Sequence, residues 1–350
     1  GQLSWRDLYV RHADGMRQPV LLGKPDTKRA HYLGRAAREA GLHVLFLDWD
    51  SWKKDFPEGK VFLKIDPPVW DSCFLGQLGE LAEDYGQKLG ELESLAKKQD
   101  VRFFNHPEAI GTLLNKRECK DRLRRAGLAV TEELPVPDSM DQLLEIMDRH
   151  QVGQVFIKPS CGSGAAGVAA FRRQKRTGQM VLYTCARQTS EGDRLINTKK
   201  LRRITDSGQV VSIVEKILKL GCVVERWYAK AEYQGYSYDL RAVVQDGKMD
   251  FCLARLSEGP VTNLHLNNHP LEFKALGLSG TVAEELEELC RRGMEVFPGL
   301  RSAGIDILLE KGSLKPRIIE MNAQGDLIYQ DIYGENVIYK RQAEMIRASI

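Results

Sequence analysis

The sequence has no cysteine pair at C-x-x-C spacing, and its seven cysteines are an odd number. That pattern argues against a zinc or disulfide framework and reads as reduced thiols of a cytoplasmic protein. No apolar run approaches the about 18–20 residues that a bilayer span needs. The opening G-Q-L-S-W-R-D-L has no apolar signal-peptide core. Strong charge of either sign is missing too. Lys plus Arg number 51 against 48 Asp plus Glu, a net charge of +3. Neither nucleic acid nor an anionic membrane is called for as partner. Internal repeats and low-complexity tracts are absent. What is there is a globular composition, 43% hydrophobic and 28% charged over 350 residues. Such a chain is long enough for two or three subdomains with real cores.

The first periodic unit runs from Val20 to Asp48. A short apolar run (Val20–Leu22), a helical stretch (Thr27–Ala40) closed by Gly41 and a second apolar run (Val44–Leu47) spell a βαβ unit and a parallel sheet. Its turn, G-K-P-D-T, lacks the spaced glycines of a dinucleotide fingerprint. Gly76 to Lys98 reads as a charged amphipathic helix, broken near Gly86 and Gly90. A helix entered at Pro107 and closed by Gly127 follows, then one over Met140–Arg149. From Val155 the texture changes to short strands and glycines. Arg172–Arg176 and Arg187–Ser207 read as polar, mobile surface, and Val210–Lys219 as helix or strand. Asp246-Gly247 marks a hairpin between Leu240–Val244 and Phe251–Leu256. A helix over Val282–Phe297, a hairpin of Ile305–Leu309 with Arg317–Met321, and a final helix from about Asn336 complete the chain.

Three stretches carry chemistry. V-F-I-K-P-S-C-G-S-G-A-A-G-V ends a strand at Lys158 and opens a small-residue loop, Ser160–Gly167, before another strand. Crowded backbone N–H groups and a lysine suit a polyphosphate, but the G-K-[ST] ending and the following helix of a Walker A loop are missing. A flexible hairpin is the bland alternative. Asp239 and Arg241 share one strand face, and Arg255 lies beyond the turn. Arginines on strands serve as ion-pair partners or as anion clamps. R-I-I-E-M-N puts Glu320 and Asn322 on one face of a strand, and Asp306 on the partner strand faces them. Facing carboxylates repel, and a hard cation such as Mg²⁺ resolves the conflict.

The order of these parts resembles the ATP-grasp superfamily of carboxylate–amine ligases, which includes D-alanine–D-alanine ligase, glutathione synthetase and the ribosomal-protein glutamate ligases. The resemblance covers about Asn105 to Gln330. It implies an α/β ATP-grasp fold: a βαβ pre-grasp domain (1–110), linker helices and a lid subdomain (111–224), and a C-terminal α+β subdomain with the metal site (225–350). By position it implies that Lys116 and Lys158 contact the nucleotide, Lys158 at the α-phosphate. Ser160, Gly162, Ser163, Gly164 and Gly167 would form the loop over the β- and γ-phosphates. In the hinge V-V-E-R-W-Y, Glu225 would accept from the adenine amino group, with Arg226, Trp227 and Tyr228 along the ring edge. Glu232 is the candidate for the ribose. Arg241 and Arg255 would face the transferred phosphoryl group and the acyl phosphate. Asp306, Glu320 and Asn322 would hold magnesium.

The chain departs from the family pattern in two places. A T-N-L-H run near the active site of glutamate-ligase-like relatives is followed here by Asn267 and Asn268 where glycines are expected. Asn263 remains a substrate candidate, and His265 reads as structural. The tail E-M-N-A-Q-G-D also differs from the commoner N-x-x-P-G. Cys161 reads as a small loop residue. The implied activity is ATP- and Mg²⁺-dependent joining of a carboxylate to an amine, on a small molecule or a peptide. A kinase acting on a small-molecule acceptor, or a nucleotide binder without turnover, are the alternatives. The basic run Arg194–Arg203 reads as a solvated face, with recruitment of an acidic peptide as the rival. Neither the substrates nor the oligomeric state can be read from the sequence.

Overall fold

The computed structural model describes residues 15–68, 74–161, 166–261, 269–325 and 335–350. The chain first builds a four-stranded parallel sheet from β1 (Gln18–Gly23), β2 (Leu45–Asp48), β3 (Val61–Ile65) and β4 (Val101–Phe103), in the order β2-β1-β3-β4. Helix α1 (Lys28–Glu39) connects β1 to β2. Thr27 caps it by accepting from the Ala30 N–H, and Ala30, Leu33, Ala36 and Ala37 face the core at helical spacing. Helix α2 (Leu78–Lys98) crosses the opposite face. It is continuous through Gly86 and Gly90, contrary to the expected break. Both glycines sit where an added Cβ would meet nothing within 4 Å, while Tyr85, Leu89 and Leu92 are buried. The packed face therefore overrides the local cost of two glycines.

After α3 (Pro107–Leu114) and α4 (Lys116–Arg125) the chain enters the lid. Its antiparallel sheet comprises β5 (Glu133–Leu134), β6 (Gln154–Pro159), β7 (Ala169–Arg173), β8 (Met180–Gln188), β9 (Leu195–Ile204) and β10 (Cys222–Arg226). The strand order is β5-β10-β6-β7-β8-β9, backed by α5 (Met140–Arg149) and α6 (Ser207–Lys219). The expected subdomain boundary at 224/225 falls inside β10. Strand β9 lies in the stretch read as mobile surface. Its ends, Leu195 and Ile204, are buried against the lid core while Lys199, Lys200 and Arg203 face water, so charge concealed the strand. The ambiguous Val210–Lys219 is helix, with Val210, Ile213, Val214 and Ile217 on its buried face.

The remaining antiparallel sheet uses β11 (Glu232–Tyr233), β12 (Tyr236–Gln245), β13 (Lys248–Ser257), β14 (His269–Glu272), β15 (Ser302–Leu309) and β16 (Pro316–Asn322). Its order is β14-β13-β12-β15-β16, with β11 paired to β12. Asp246 and Gly247 turn the β12–β13 hairpin with φ of 47° and 78°, the backbone that Asp-Gly tolerates. Helix α7 (Gly280–Glu295) packs on this sheet, and α8 (Val337–Ser349) returns to α1, stacking Tyr339 on Tyr32 at 5.9 Å.

The lid does not hang free. Leu75, in the 3-10 turn before α2, and Leu78, its first residue, are buried in the lid core, whereas Tyr85, Leu89 and Leu92 of α2 belong to the N-terminal core. Phe74 bridges to Ile196 on β9. Leu75→Ala is expected to cost about 2–5 kcal/mol by leaving a cavity. Chemical denaturation measures it, and a change within 0.5 kcal/mol would mean that the seat carries no load.

Candidate active site

A cleft of about 680 Å³, open to solvent, lies between the lid sheet and the C-terminal sheet. One part of its wall is apolar, from Phe156, Val168, Leu308 and Ile319. Elsewhere it is lined by charged side chains, among them Lys116, Lys158, Glu225, Lys230, Asp239, Arg255, Asp306 and Glu320.

Strand register brings the charges of the C-terminal sheet together. Arg255 on β13 is the partner of Asp239 on β12. Arg241, two residues on, is the partner of Asp306 on β15, and Asp306 in turn of Glu320 on β16. Partners across strands and residues two apart share a face, so all five project together. Arg255 Nε donates to Asp239 Oδ1 at 2.8 Å, and Arg241 Nη1 to Asp306 Oδ1 at 2.7 Å. Arg255 Nη2 also reaches Asp306 Oδ1, at 3.3 Å. Burial pushes the Asp306 carboxyl up, but Arg241 and Arg255 outweigh it and hold it well below the usual range. Arg255 is likewise buried, and Asp239 and Asp306 keep it firmly charged.

Glycine makes this geometry possible. The Arg241 guanidinium lies across Gly304, where an added Cβ would come within 2.7 Å of Nε and Cζ, and against Gly325. Its Nε is buried and has no hydrogen-bond partner among the described residues. Asn322 is the register partner of Gly304, and its Oδ1 accepts from the Gln324 N–H at 3.2 Å.

The lid side is a lysine cluster around one carboxylate. Glu225 on β10 is the register partner of Phe156, which puts it diagonal to Lys158 on the same face. Lys158 Nζ donates to Glu225 Oε2 at 2.8 Å. The other oxygen, Oε1, is taken by Lys120, which also donates to Thr131 Oγ1. Burial raises the Glu225 pKa, yet Lys120 and Lys158 outweigh it and hold it at about 2. Lys116, one turn before Lys120, lines the cleft, and its pKa is lowered chiefly by burial.

A depressed carboxyl pKa contributes stability that is present above the unfolded value, near 4.5, and drains as pH falls toward about 2. Thermal midpoints followed from pH 6 down to pH 3 are therefore expected to fall faster in wild type than in Glu225→Gln. Parallel curves would contradict the ion-pair account.

The structure thus brings together Lys116, Lys158, Glu225, Arg226, Tyr228, Arg241, Arg255, Asp306 and Glu320, with Asn322 at the end of β16. Four expected residues stand off the cleft lining. The Trp227 ring packs on Phe156 and Tyr183 beneath Arg172, off the cleft lining. Glu232 is exposed and paired with Lys311 at 3.1 Å. Ser160 exchanges backbone hydrogen bonds with Gly221 and Lys116. Gly167, at φ 70°, gives its N–H to Asn197 Oδ1 at 3.3 Å. Gly162, Ser163, Gly164, Asn263 and His265 lie outside the described residues.

Sequence reasoning missed Lys120 and Lys230, and left Asp239 without a role. Lys120 carried a signal, since it stands four residues after Lys116 and so on the same helix face. Lys230 carried none. It is buried in the cleft, with Nζ 3.7 Å from Asp239 Oδ2.

Two antiparallel sheets closing on such a cleft, behind a parallel βαβ domain, define the ATP-grasp fold. Solved structures agree. The ATP-grasp ligase PsnB, complexed with a phosphomimetic variant of its minimal precursor, Mg and ADP, matches at a TM-score of 0.57 and 14% identity. That match covers 96% of this chain and 99% of PsnB. D-cycloserine synthetase DcsG matches at 0.58 and 14%, covering 93% and 99%. D-alanine–D-alanine ligase from Bacillus anthracis, complexed with ATP, matches at 0.56 and 15%, covering 95% and 96%. These likenesses show that the chain has the ATP-grasp fold, and these structural neighbours are ligases. No family model and no curated protein matches the sequence.

Proposed function

We propose that the protein is an ATP-dependent ligase that activates a carboxylate as an acyl phosphate and joins it to an amine, releasing ADP and phosphate. The observation that carries this reading is the row Arg241–Asp306–Glu320, flanked by Arg255, at the charged part of a cleft with an apolar wall elsewhere. The apolar wall of Phe156, Val168, Leu308 and Ile319 suits a flat base, and the lysines suit a polyphosphate. Lys116, Lys158, Glu225, Arg226 and Tyr228 form the nucleotide side. PsnB is also solved complexed with precursor peptide PsnA2 and AMPPNP, and a peptide or amino-acid substrate is the class we assign here.

The residues fit a divalent cation. Asp306 and Glu320 come within hydrogen-bonding reach of each other, which two anions tolerate only with a proton or a cation between them. Asp306, Glu320 and Asn322 would hold Mg²⁺, which would neutralise charge on the phosphoryl oxygens. The chain's own residues do the rest. The substrate carboxylate oxygen attacks the γ-phosphorus and ADP leaves, with Arg241 and Arg255 drawing charge from the transferred group. The amine then attacks the acyl carbon, Arg255 steadies the oxyanion, and phosphate leaves as the amine's proton passes to solvent.

The test is ATP consumption with Mg²⁺, pooled amino acids and short acidic peptides, and hydroxylamine. A hydroxamate formed with ADP supports ligation, and its mass names the acid. ADP with a stable phosphorylated product and no hydroxamate would make the protein a kinase. Glu320→Ala is expected to lower turnover by about 100- to 1,000-fold with the fold intact. Undiminished ATP consumption in that variant would remove Glu320 from the metal site.

A further inference from the structure

The turn that follows β16, Asn322 to Gly325, has no proline to stiffen it, yet it forms one wall of the slot that holds Arg241. The guanidinium lies between Gly304 on one side and Gly325 on the other, and a Cβ added at Gly325 would fall on Nη2. Glycine is the residue least able to hold a backbone in place by itself. The turn is instead fixed from outside. Gln324 Oε1 accepts from the Tyr85 hydroxyl, and Nε2 donates to the Ile65 carbonyl at 2.6 Å. The Gln324 carbonyl accepts from Arg29 Nη1 at 2.9 Å, and that of Ala323 from Asn105 Nδ2 at 3.2 Å. These partners stand on α2, on β3, on α1 and just after β4, in the part of the chain built on the parallel sheet. Tyr85 is fully buried, its ring edge-on to Trp49 at 6.0 Å, so its hydroxyl has little freedom of its own. Within the turn, the Gln324 N–H closes onto Asn322 Oδ1 at 3.2 Å.

We propose that Gln324 is a positioning residue: tethered by Tyr85 and Ile65, it seats the turn against Arg241, so that the N-terminal sheet and helices help set the geometry of phosphoryl transfer. This rests on the ligase reading of the cleft made above. A slot closed on both sides fixes the guanidinium, and a misplacement of about 1 Å costs on the order of 100-fold in rate. Without the tether the Gly325 wall is free to swing away, and Arg241 keeps only Asp306 and Gly304 to locate it.

The experiment compares wild type, Tyr85→Phe, Gln324→Met and the double variant, with Leu92→Ala as control. ADP release at saturating ATP gives kcat, isothermal titration gives ATP affinity, and urea denaturation gives stability. Tyr85→Phe keeps the ring and removes one hydroxyl; Gln324→Met keeps the length of the side chain and removes both of its hydrogen bonds. Each is expected to lower kcat by about 10- to 100-fold while ATP affinity stays within about two-fold. The double variant should be no slower than Gln324→Met alone, because both changes break one tether. Losses that multiply would overturn the tether. Leu92, buried in the N-terminal core away from the turn, tests stability by itself. Leu92→Ala is expected to be less stable with kcat within about two-fold of wild type. If it slows turnover as much as Gln324→Met does, or if Gln324→Met loses stability and keeps its kcat, Gln324 is structural only and the assignment is overturned. A parallel loss of ATP affinity would overturn it as well, since the whole cleft would then have shifted. Wild-type protein that releases no ADP with any pooled substrate overturns the ligase reading, and this inference with it.

Discussion

Asp306→Ala is expected to abolish turnover and also to lower stability by about 3–5 kcal/mol, the cost of breaking a buried ion pair from one side. A metal ligand alone would predict only the first effect. Asp306 Oδ1, however, carries Arg241 at 2.7 Å and Arg255 at 3.3 Å, and all three side chains are about nine-tenths buried. Removing the carboxylate leaves two guanidiniums facing one another away from water. Urea denaturation read beside the hydroxamate assay separates the two effects. Loss of activity with unchanged stability would mean that the arginines find other partners, and that Asp306 is a ligand and little else. Glu320→Ala, which does not strip the arginines of their carboxylate, is the cleaner probe of the metal.

Gly304→Ala should silence the protein without touching any group that reacts. In β15 a methyl there would stand 2.7 Å from Cζ and Nε of Arg241. The backbone cannot yield, because Gly304 is paired on both flanks, to Val243 and to Asn322, so the end of the Arg241 side chain must move. Arg241 is expected to leave Asp306, lowering turnover by about 100- to 1,000-fold at a stability cost of about 1–3 kcal/mol from overpacking. Nucleotide affinity should hold within a few-fold, since Lys116, Lys158 and Glu225 lie on the other jaw. Isothermal titration with ATP and single-turnover hydroxamate formation provide the two readings. Full turnover would show that the Arg241 guanidinium has no part in the chemistry.

Much of this molecule was legible along the chain because its signals are local. Period-2 alternation and the Asp246-Gly247 turn fix the β12–β13 hairpin, and Glu320 and Asn322 share a face by strand geometry alone. The βαβ opening, the helix at Met140–Arg149 and the lysine at the end of β6 follow from equally short stretches. The expected break in α2 and the missed strand β9 were errors of one kind. In each, local composition (two glycines, a run of lysines and arginines) pointed one way and the burial of a few apolar side chains decided the other.

What the tertiary structure alone decided is which charges meet. Glu225 lies 105 residues from Lys120 and 67 from Lys158 along the chain. No spacing rule states that both would claim it. Nor does the sequence say that Arg241 bends over Gly304, or that Leu75 leaves its own domain to fill the core of the lid. The physical reason is the same in each case. A buried charge is tolerable only beside its counter-ion, and an apolar side chain only inside a core. Which partner is at hand depends on how sheets and helices stack, and residue order does not record that.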